Sequence, residues 1–162
     1  MKVVSLFSGS KGNSTLVQIQ NTNLLIDCGK NYKQINLSLE QLDLSIDDIK
    51  YILITHRHTD HVSALKTIYS KNSDIKFITT LNIYNDIKKS LQYDLDSKRF
   101  MFIDRMKLKN IKYFPLNHDV NCVGYLLYEN SGESLCFISA NGVYIPYDML
   151  KNELHGFTGY SI

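Results

Sequence analysis

A short run in the first half of the chain concentrates side chains that bind metal ions. It contains His56, Arg57, His58, Thr59, Asp60 and His61 in succession. Imidazole nitrogens and carboxylate oxygens are common donors to Zn²⁺ and similar divalent ions. Because the whole chain holds only 5 histidines, this spacing favours a metal site over chance. The alternative interpretation is that the histidines are surface residues and that Asp60 only caps the following helix.

The predicted secondary structure places this run between a buried strand and a helix. Residues 51–54 form an apolar run typical of a buried strand, and helical spacing begins at Val62. Open α/β sheets carry their sites at the carboxyl ends of such strands. We therefore expect His56 and His58 to face one ion, and Asp60 and His61 to reach a second.

The rest of the chain predicts an α/β protein with a single domain over residues 1–162. Strands are expected at residues 3–7, 15–19, 24–27, 51–54, 76–79, 100–103, 109–116, 123–129 and 134–138. Helical spacing follows Gly29, with Ile35, Leu39 and Leu42 on one face. It recurs at residues 62–69 and 81–91, and a last helix is expected after Pro146.

Composition excludes several classes of protein. The chain is 44% hydrophobic and 21% charged, as in ordinary globular domains. A net charge of +2 gives no sign by itself of nucleic-acid binding. No apolar run is long enough to cross a membrane, and the first residues do not resemble a secretion signal. Three cysteines without paired spacing favour a cytoplasmic protein.

Three separated segments carry a family resemblance. Residues 8–14 read SGSKGNS, residues 24–29 read LLIDCG, and residues 55–61 read THRHTDH. In order and spacing they resemble the metallo-β-lactamase superfamily, especially its small phosphodiesterase- and nuclease-like branch. The resemblance implies an αββα fold that binds Zn²⁺ or Mn²⁺ and hydrolyses its substrate. Asp27 would support the site by accepting backbone hydrogen bonds from residues 55–61, which we call the metal loop. The Gly/Ser turn lacks a phosphate-loop pattern, so we interpret it as a tight connection.

A fourth match extends the predicted metal site. Residues 115–119 read PLNHD, in which His118 resembles the family's next ligand histidine. His118 would therefore complete the first site with His56 and His58. We assign Asp60 to catalysis as well as to metal binding, and His61 to metal binding.

The chain also departs from the family pattern. The family's bridging aspartate is replaced by Ala140, and neighbouring Asn141 offers only a neutral amide oxygen. The chain reaches Ile162 before the family's last histidine ligand, and we expect His155 not to replace it. We therefore expect a C-terminally shortened fold that holds one or two ions, with a weakened second site. An uncovered sheet edge would favour a homodimer or a macromolecular partner.

Two functions follow from these expectations. The first is metal-dependent hydrolysis of a phosphodiester, either a nucleic acid or a nucleotide. The alternative is a catalytically degenerate binding protein that inhibits or regulates another macromolecule, including one encoded by a mobile element. A β-lactam substrate is not expected.

Overall fold

Two β-sheets organise residues 1–138, the part of the chain that the computed structural model describes. The larger sheet contains, in spatial order, β1 Lys2–Phe7, β2 Ser14–Ile19, β3 Thr22–Ile26, β4 Ile49–Leu53, β5 Lys76–Thr79 and β6 Phe100–Phe102. The smaller sheet contains β7 Ile111–Leu116, β8 Cys122–Tyr128 and β9 Ser134–Phe137. The first three strands of the larger sheet are antiparallel and β3 to β6 are parallel, whereas the smaller sheet is antiparallel.

Helices connect the parallel strands. They are α1 Tyr32–Glu40, α2 Thr59–Val62, α3 Leu65–Lys71 and α4 Leu81–Leu91, with short 3₁₀ turns at Ile46–Asp48 and Ser97–Arg99. Asn31 begins α1 by accepting a hydrogen bond from the Gln34 backbone N–H, and Thr80 begins α4 in the same way. Since the parallel strands share a direction, their carboxyl ends lie at one edge of the sheet, where the metal loop follows β4.

Apolar strand residues form the core between these elements. Leu16, Leu25, Ile52 and Phe77 come from four neighbouring strands of the larger sheet and are fully buried. Tyr125 of β8 is also fully buried and joins the same cluster, so the smaller sheet packs against the same core.

Two hydrogen bonds fasten the smaller sheet to the carboxyl end of β4. The Tyr125 hydroxyl donates to the Ile54 carbonyl oxygen at 2.7 Å, and the Val123 N–H donates to the Thr55 carbonyl oxygen at 3.0 Å. The turn between β7 and β8, which carries His118, is thereby held beside the metal loop.

The predicted α/β architecture is confirmed, with corrections in its details. The bounds of β5 and α4 agree with the predicted ones. The single helix predicted over residues 62–69 is wrong: two helices meet near Ala64, whose N–H donates to the Cys28 carbonyl oxygen at 3.0 Å. The strand predicted to include Asp27 ends at Ile26, because Asp27 adopts a left-handed φ of 61°.

Other predictions fall outside the described residues. The bridging position Ala140, its neighbour Asn141, His155 and the helix after Pro146 all lie beyond residue 138. Among residues 1–138, no helix combines the length and the apolar character that crossing a membrane requires.

Candidate metal centre

Three histidines from two separate loops converge at the carboxyl edge of the larger sheet. One nitrogen from each of His56, His58 and His118 lies within 4.8 Å of the other two. His56 is buried, and the other two are partly exposed. We call these residues the histidine cluster. A ligand set with one buried and two accessible imidazoles is suited to a zinc-like ion that keeps an open position.

The surroundings of His56 favour its neutral form. Burial, followed by the charges of His61, His118 and His58, lowers the pKa of His56 to about 3. Its Nδ1 lies 2.9 Å from the Thr55 hydroxyl, which itself donates to Asp27 Oδ2 at 2.7 Å. Because that hydroxyl proton is used on Asp27, Nδ1 is the donor to Thr55, and the lone pair of His56 is on Nε2. A neutral imidazole with one fixed lone pair is the form that binds metal.

Asp27 organises the base of the site. It is 1% exposed, and its Oδ1 accepts the Thr55 backbone N–H at 2.8 Å. Its Oδ2 accepts the Thr55 hydroxyl and lies 2.7 Å from His61 Nδ1. One buried carboxylate therefore orients two histidines, His56 through Thr55 and His61 directly, as supporting carboxylates do around metal ligands.

Asp60 and His61 form a second group beside the histidine cluster, which we call the Asp60–His61 pair. Asp60 Oδ2 lies 3.4 Å from His61 Nε2, and the ring centroids of His61 and His56 are 4.0 Å apart. Burial opposes the charged form of His61, but the Asp27 hydrogen bond and the charges of Asp27 and Asp60 outweigh it and raise its pKa.

Asn13 of the Gly/Ser turn holds this pair in place. Its Nδ2 lies 3.1 Å from both Asp60 Oδ2 and His61 Nε2, and its backbone N–H donates to the Asp60 carbonyl oxygen at 2.7 Å. A methyl group at Gly29 would lie 1.6 Å from that same carbonyl oxygen, so only glycine permits this approach. Three segments of the sequence thus meet at this point: SGSKGNS, LLIDCG and THRHTDH.

Asp119 is a site residue that sequence reasoning did not select. It is exposed, its Oδ2 lies 3.4 Å from His58 Nε2, and its Oδ1 contacts His118 Nδ1. Desolvation opposes its charged form, but the His118 hydrogen bond and the charges of His58 and His118 lower its pKa. Its position next to His118 in the sequence was the available signal.

The structure therefore brings together all the site residues predicted from the sequence within residues 1–138. His56, His58 and His118 form the cluster, and Asp60 and His61 form the neighbouring pair. Asp27 lies behind both groups.

Solved structures of other proteins share the fold of this chain. Human tRNase Z, short form, has a TM-score of 0.66 at 17% identity, over 93% of this chain and 73% of that one. A Cronobacter sakazakii metallo-β-lactamase has a TM-score of 0.63 at 16% identity, over 88% of this chain and 58% of that one. The chain thus has the fold of the metallo-β-lactamases.

Sequence comparisons give the particular family. The family model described as "Anti-Pycsar protein Apyc1" matches residues 7–118, more than half of the chain, and the chain belongs to that family. It is also similar to exodeoxyribonuclease YycJ of Bacillus anthracis, at 24% identity over 96% of this chain and 59% of the relative. Ribonuclease Z of Borreliella burgdorferi is 32% identical over 72% of this chain and 42% of the relative. The chain thus spans about half the length of these curated relatives.

Proposed function

We propose that this protein is a metal-dependent hydrolase that acts on a phosphodiester. The observation that carries the proposal is the convergence of His56, His58 and His118 on one point, with His56 held in its neutral form. The curated relatives include proteins named as an exodeoxyribonuclease and a ribonuclease, enzymes of phosphodiester chemistry, which supports this substrate class.

The donor atoms fit a divalent ion such as Zn²⁺ or Mn²⁺. Three imidazoles, each with one nitrogen within 4.8 Å of the other two and two of them accessible, agree with the ligand set of a catalytic zinc site. When bound, such an ion supplies Lewis acidity that polarises the phosphoryl group and promotes deprotonation of water near neutral pH. Asp60 and His61 would contribute to a second ion, which the replacement of the family aspartate by Ala140 weakens.

The other side chains of the site then have distinct roles. Asp60, whose side chain is about one-third exposed, accepts a proton from the attacking water on its carboxylate. Asn13 fixes the orientation of that carboxylate by donating to Oδ2 at 3.1 Å. Asp27 keeps His61 and, through Thr55, His56 in their ligand orientations.

The test combines metal analysis with a phosphodiesterase assay. The purified protein is loaded with Zn²⁺ or Mn²⁺, and hydrolysis of bis-p-nitrophenyl phosphate, single-stranded DNA, RNA and nucleoside cyclic phosphates is measured. The expected result is at least one bound ion and turnover that His58→Ala abolishes. His155→Ala, a histidine not predicted to bind metal, is the matched control and should keep its activity. A protein that binds no ion and turns over none of these substrates would refute the proposal.

A second candidate is a catalytically degenerate binding protein that antagonises another macromolecule. Ala140 and the word "anti" in the description of the matching family favour it. One variant, His58→Ala, distinguishes the two candidate functions. A hydrolase loses its activity in this variant, whereas a binding protein keeps its activity as long as the variant folds.

A further inference from the structure

A pocket of about 340 Å³ lies in the Gly/Ser turn, next to the Asp60–His61 pair. Residues 7–12 and Lys30 line it, and we call it the turn pocket. The sequence pattern alone predicts only a tight connection here. The three-dimensional arrangement gives this segment a concave surface with a charge of its own.

The lining of the turn pocket is cationic and rich in hydrogen-bond donors. Lys11 and Lys30 are its charged lining residues, and among the residues that the structure describes no aspartate or glutamate lines the pocket. Within residues 1–138 neither lysine forms an ion pair, and the backbone N–H groups of Ser10 and Lys11 donate to no acceptor. Two uncompensated cations with unused N–H donors and the hydroxyls of Ser8 and Ser10 match the chemistry of a phosphate group.

The turn pocket is also held in a fixed shape. Asn13 exchanges two side-chain hydrogen bonds of 3.0 Å with the backbone of Gly9, and the Gly12 N–H donates to the Gly9 carbonyl oxygen at 3.0 Å. The Lys30 side chain packs so closely on Gly12 that a methyl group there would lie 2.8 Å from Lys30 Cδ. The Lys30 ammonium lies 5.6 Å from the centre of the Phe7 ring. Both glycines have positive φ, which favours glycine at each position.

Asn13 also sets the distance between the turn pocket and the metal centre. Its Nδ2 lies 3.0 Å from the Gly9 carbonyl oxygen and 3.1 Å from Asp60 Oδ2, so these two oxygens are at most 6.1 Å apart. A substrate at the metal centre can therefore reach the turn pocket without a large span.

We propose that the turn pocket binds a phosphate group of the substrate and so orients it at the metal centre. The inference rests on the proposed phosphodiester hydrolysis and adds a second point of substrate recognition to it. Lys11 and Lys30 neutralise the phosphate charge, while the N–H groups of Ser10 and Lys11 donate hydrogen bonds to its oxygens. The phosphate is one that flanks the scissile phosphodiester, as on a nucleic-acid strand or a nucleotide that carries more than one phosphate.

The binding test needs no turnover. Protein labelled with ¹⁵N is titrated with inorganic phosphate in EDTA at constant ionic strength, and amide shifts are followed by NMR. Saturable shifts are expected at Gly9, Ser10 and Gly12. The double variant Lys11→Ala/Lys30→Ala should weaken phosphate binding by about 10-fold or more, since each lost bond involves a charged group.

The matched control is Lys50→Ala/Lys76→Ala, which removes the same charge. Both lysines are exposed near the amino ends of β4 and β5, at the opposite edge of the sheet from the site. The control should bind phosphate as the wild type does. Equal weakening in both double variants, no saturable shift in the turn, or shifts confined to His58 and His118 would each overturn the proposal. Thermal melts show that the compared proteins are folded.

A second arm distinguishes the sources of the phosphate. Single-stranded oligonucleotides and nucleoside 3′,5′-cyclic phosphates are titrated onto the same variants in EDTA. A loss for the oligonucleotide alone assigns a flanking phosphate. A loss for both ligands would place the scissile phosphate itself in the turn pocket and would overturn the second point of recognition. No loss for either ligand would exclude the turn pocket from substrate binding. Turnover of bis-p-nitrophenyl phosphate by the wild type tests the proposed hydrolysis separately.

Discussion

The histidine cluster and the Asp60–His61 pair lie side by side but are built differently. The cluster unites loops more than fifty residues apart in sequence, and two of its imidazoles are accessible. The pair is adjacent in sequence and is enclosed by hydrogen bonds to Asn13 and Asp27. From this difference we expect the cluster to be able to hold an ion by itself. The pair offers two side chains that can bind metal, but both already hydrogen-bond to the surrounding protein. We therefore expect an ion there to need additional ligands.

The largest expected effect comes from removing a ligand of the cluster. His118→Ala leaves two of the three clustered imidazoles, so we expect metal affinity to fall by more than about 100-fold, beyond the effect of a supporting residue. His61→Ala should lower the affinity for the first ion much less, because its ring belongs to the pair. Competition with a chromogenic chelator measures both affinities. Equal losses in the two variants would mean that cluster and pair form one site.

A smaller effect is expected when the shared support is changed. Asp27→Asn replaces a carboxylate oxygen that faces Thr55 or His61 with an amide N–H. Metal affinity should fall by about 10- to 100-fold, and the free energy of unfolding by about 2 kcal/mol because a buried hydrogen-bond donor loses its acceptor. Chelator competition and urea unfolding measure these changes. Asp74→Asn, at an exposed aspartate, is the control. If Asp27→Asn matches this control in metal affinity and stability, Asp27 has no supporting role.

Much of this arrangement could be predicted from the sequence because its donors lie in short motifs. His56, His58, Asp60 and His61 are contiguous enough for spacing to indicate a shared site, and His118 was added by resemblance. The contact between Asn13 and Asp60 joins residues 47 apart, and no local pattern encodes it. The helix break near Ala64 was missed for the same reason, since its N–H bonds to Cys28, which is distant in sequence.

The cluster should also differ from the pair in its response to acid. In EDTA, the His56 pKa of about 3 lies below the 6.5 of an ordinary histidine. The unfolded chain therefore binds a proton at this residue before the folded chain does, and stability falls as pH drops from 6.5 toward 3. Between pH 7.5 and 5.0 this residue alone removes about 2 kcal/mol.

Urea unfolding of the wild type and of His56→Asn at both pH values measures this contribution. The variant should lose about 2 kcal/mol less than the wild type over that interval. His61, whose pKa is raised, acts in the opposite direction, because its stabilisation is present at low pH and is lost as pH rises. His61→Asn should therefore steepen the acid-side loss, and identical pH profiles for the three proteins would contradict both assignments.

The smallest expected effect is a gain at the pair. Ala140→Asp restores the carboxylate of the family pattern and so adds one charged ligand beside Asp60 and His61. If these two residues lack only further ligands, the variant should bind a second ion about 10-fold more tightly than the wild type. Mass spectrometry under native conditions and calorimetry with Mn²⁺ give the stoichiometry and the affinity. Ala140→Asn tests the shape of the side chain without its charge and should bind as the wild type does. If the wild type binds a second ion as tightly as Ala140→Asp does, the pair already has the ligands it needs. The pair would then be a complete ligand set like the cluster.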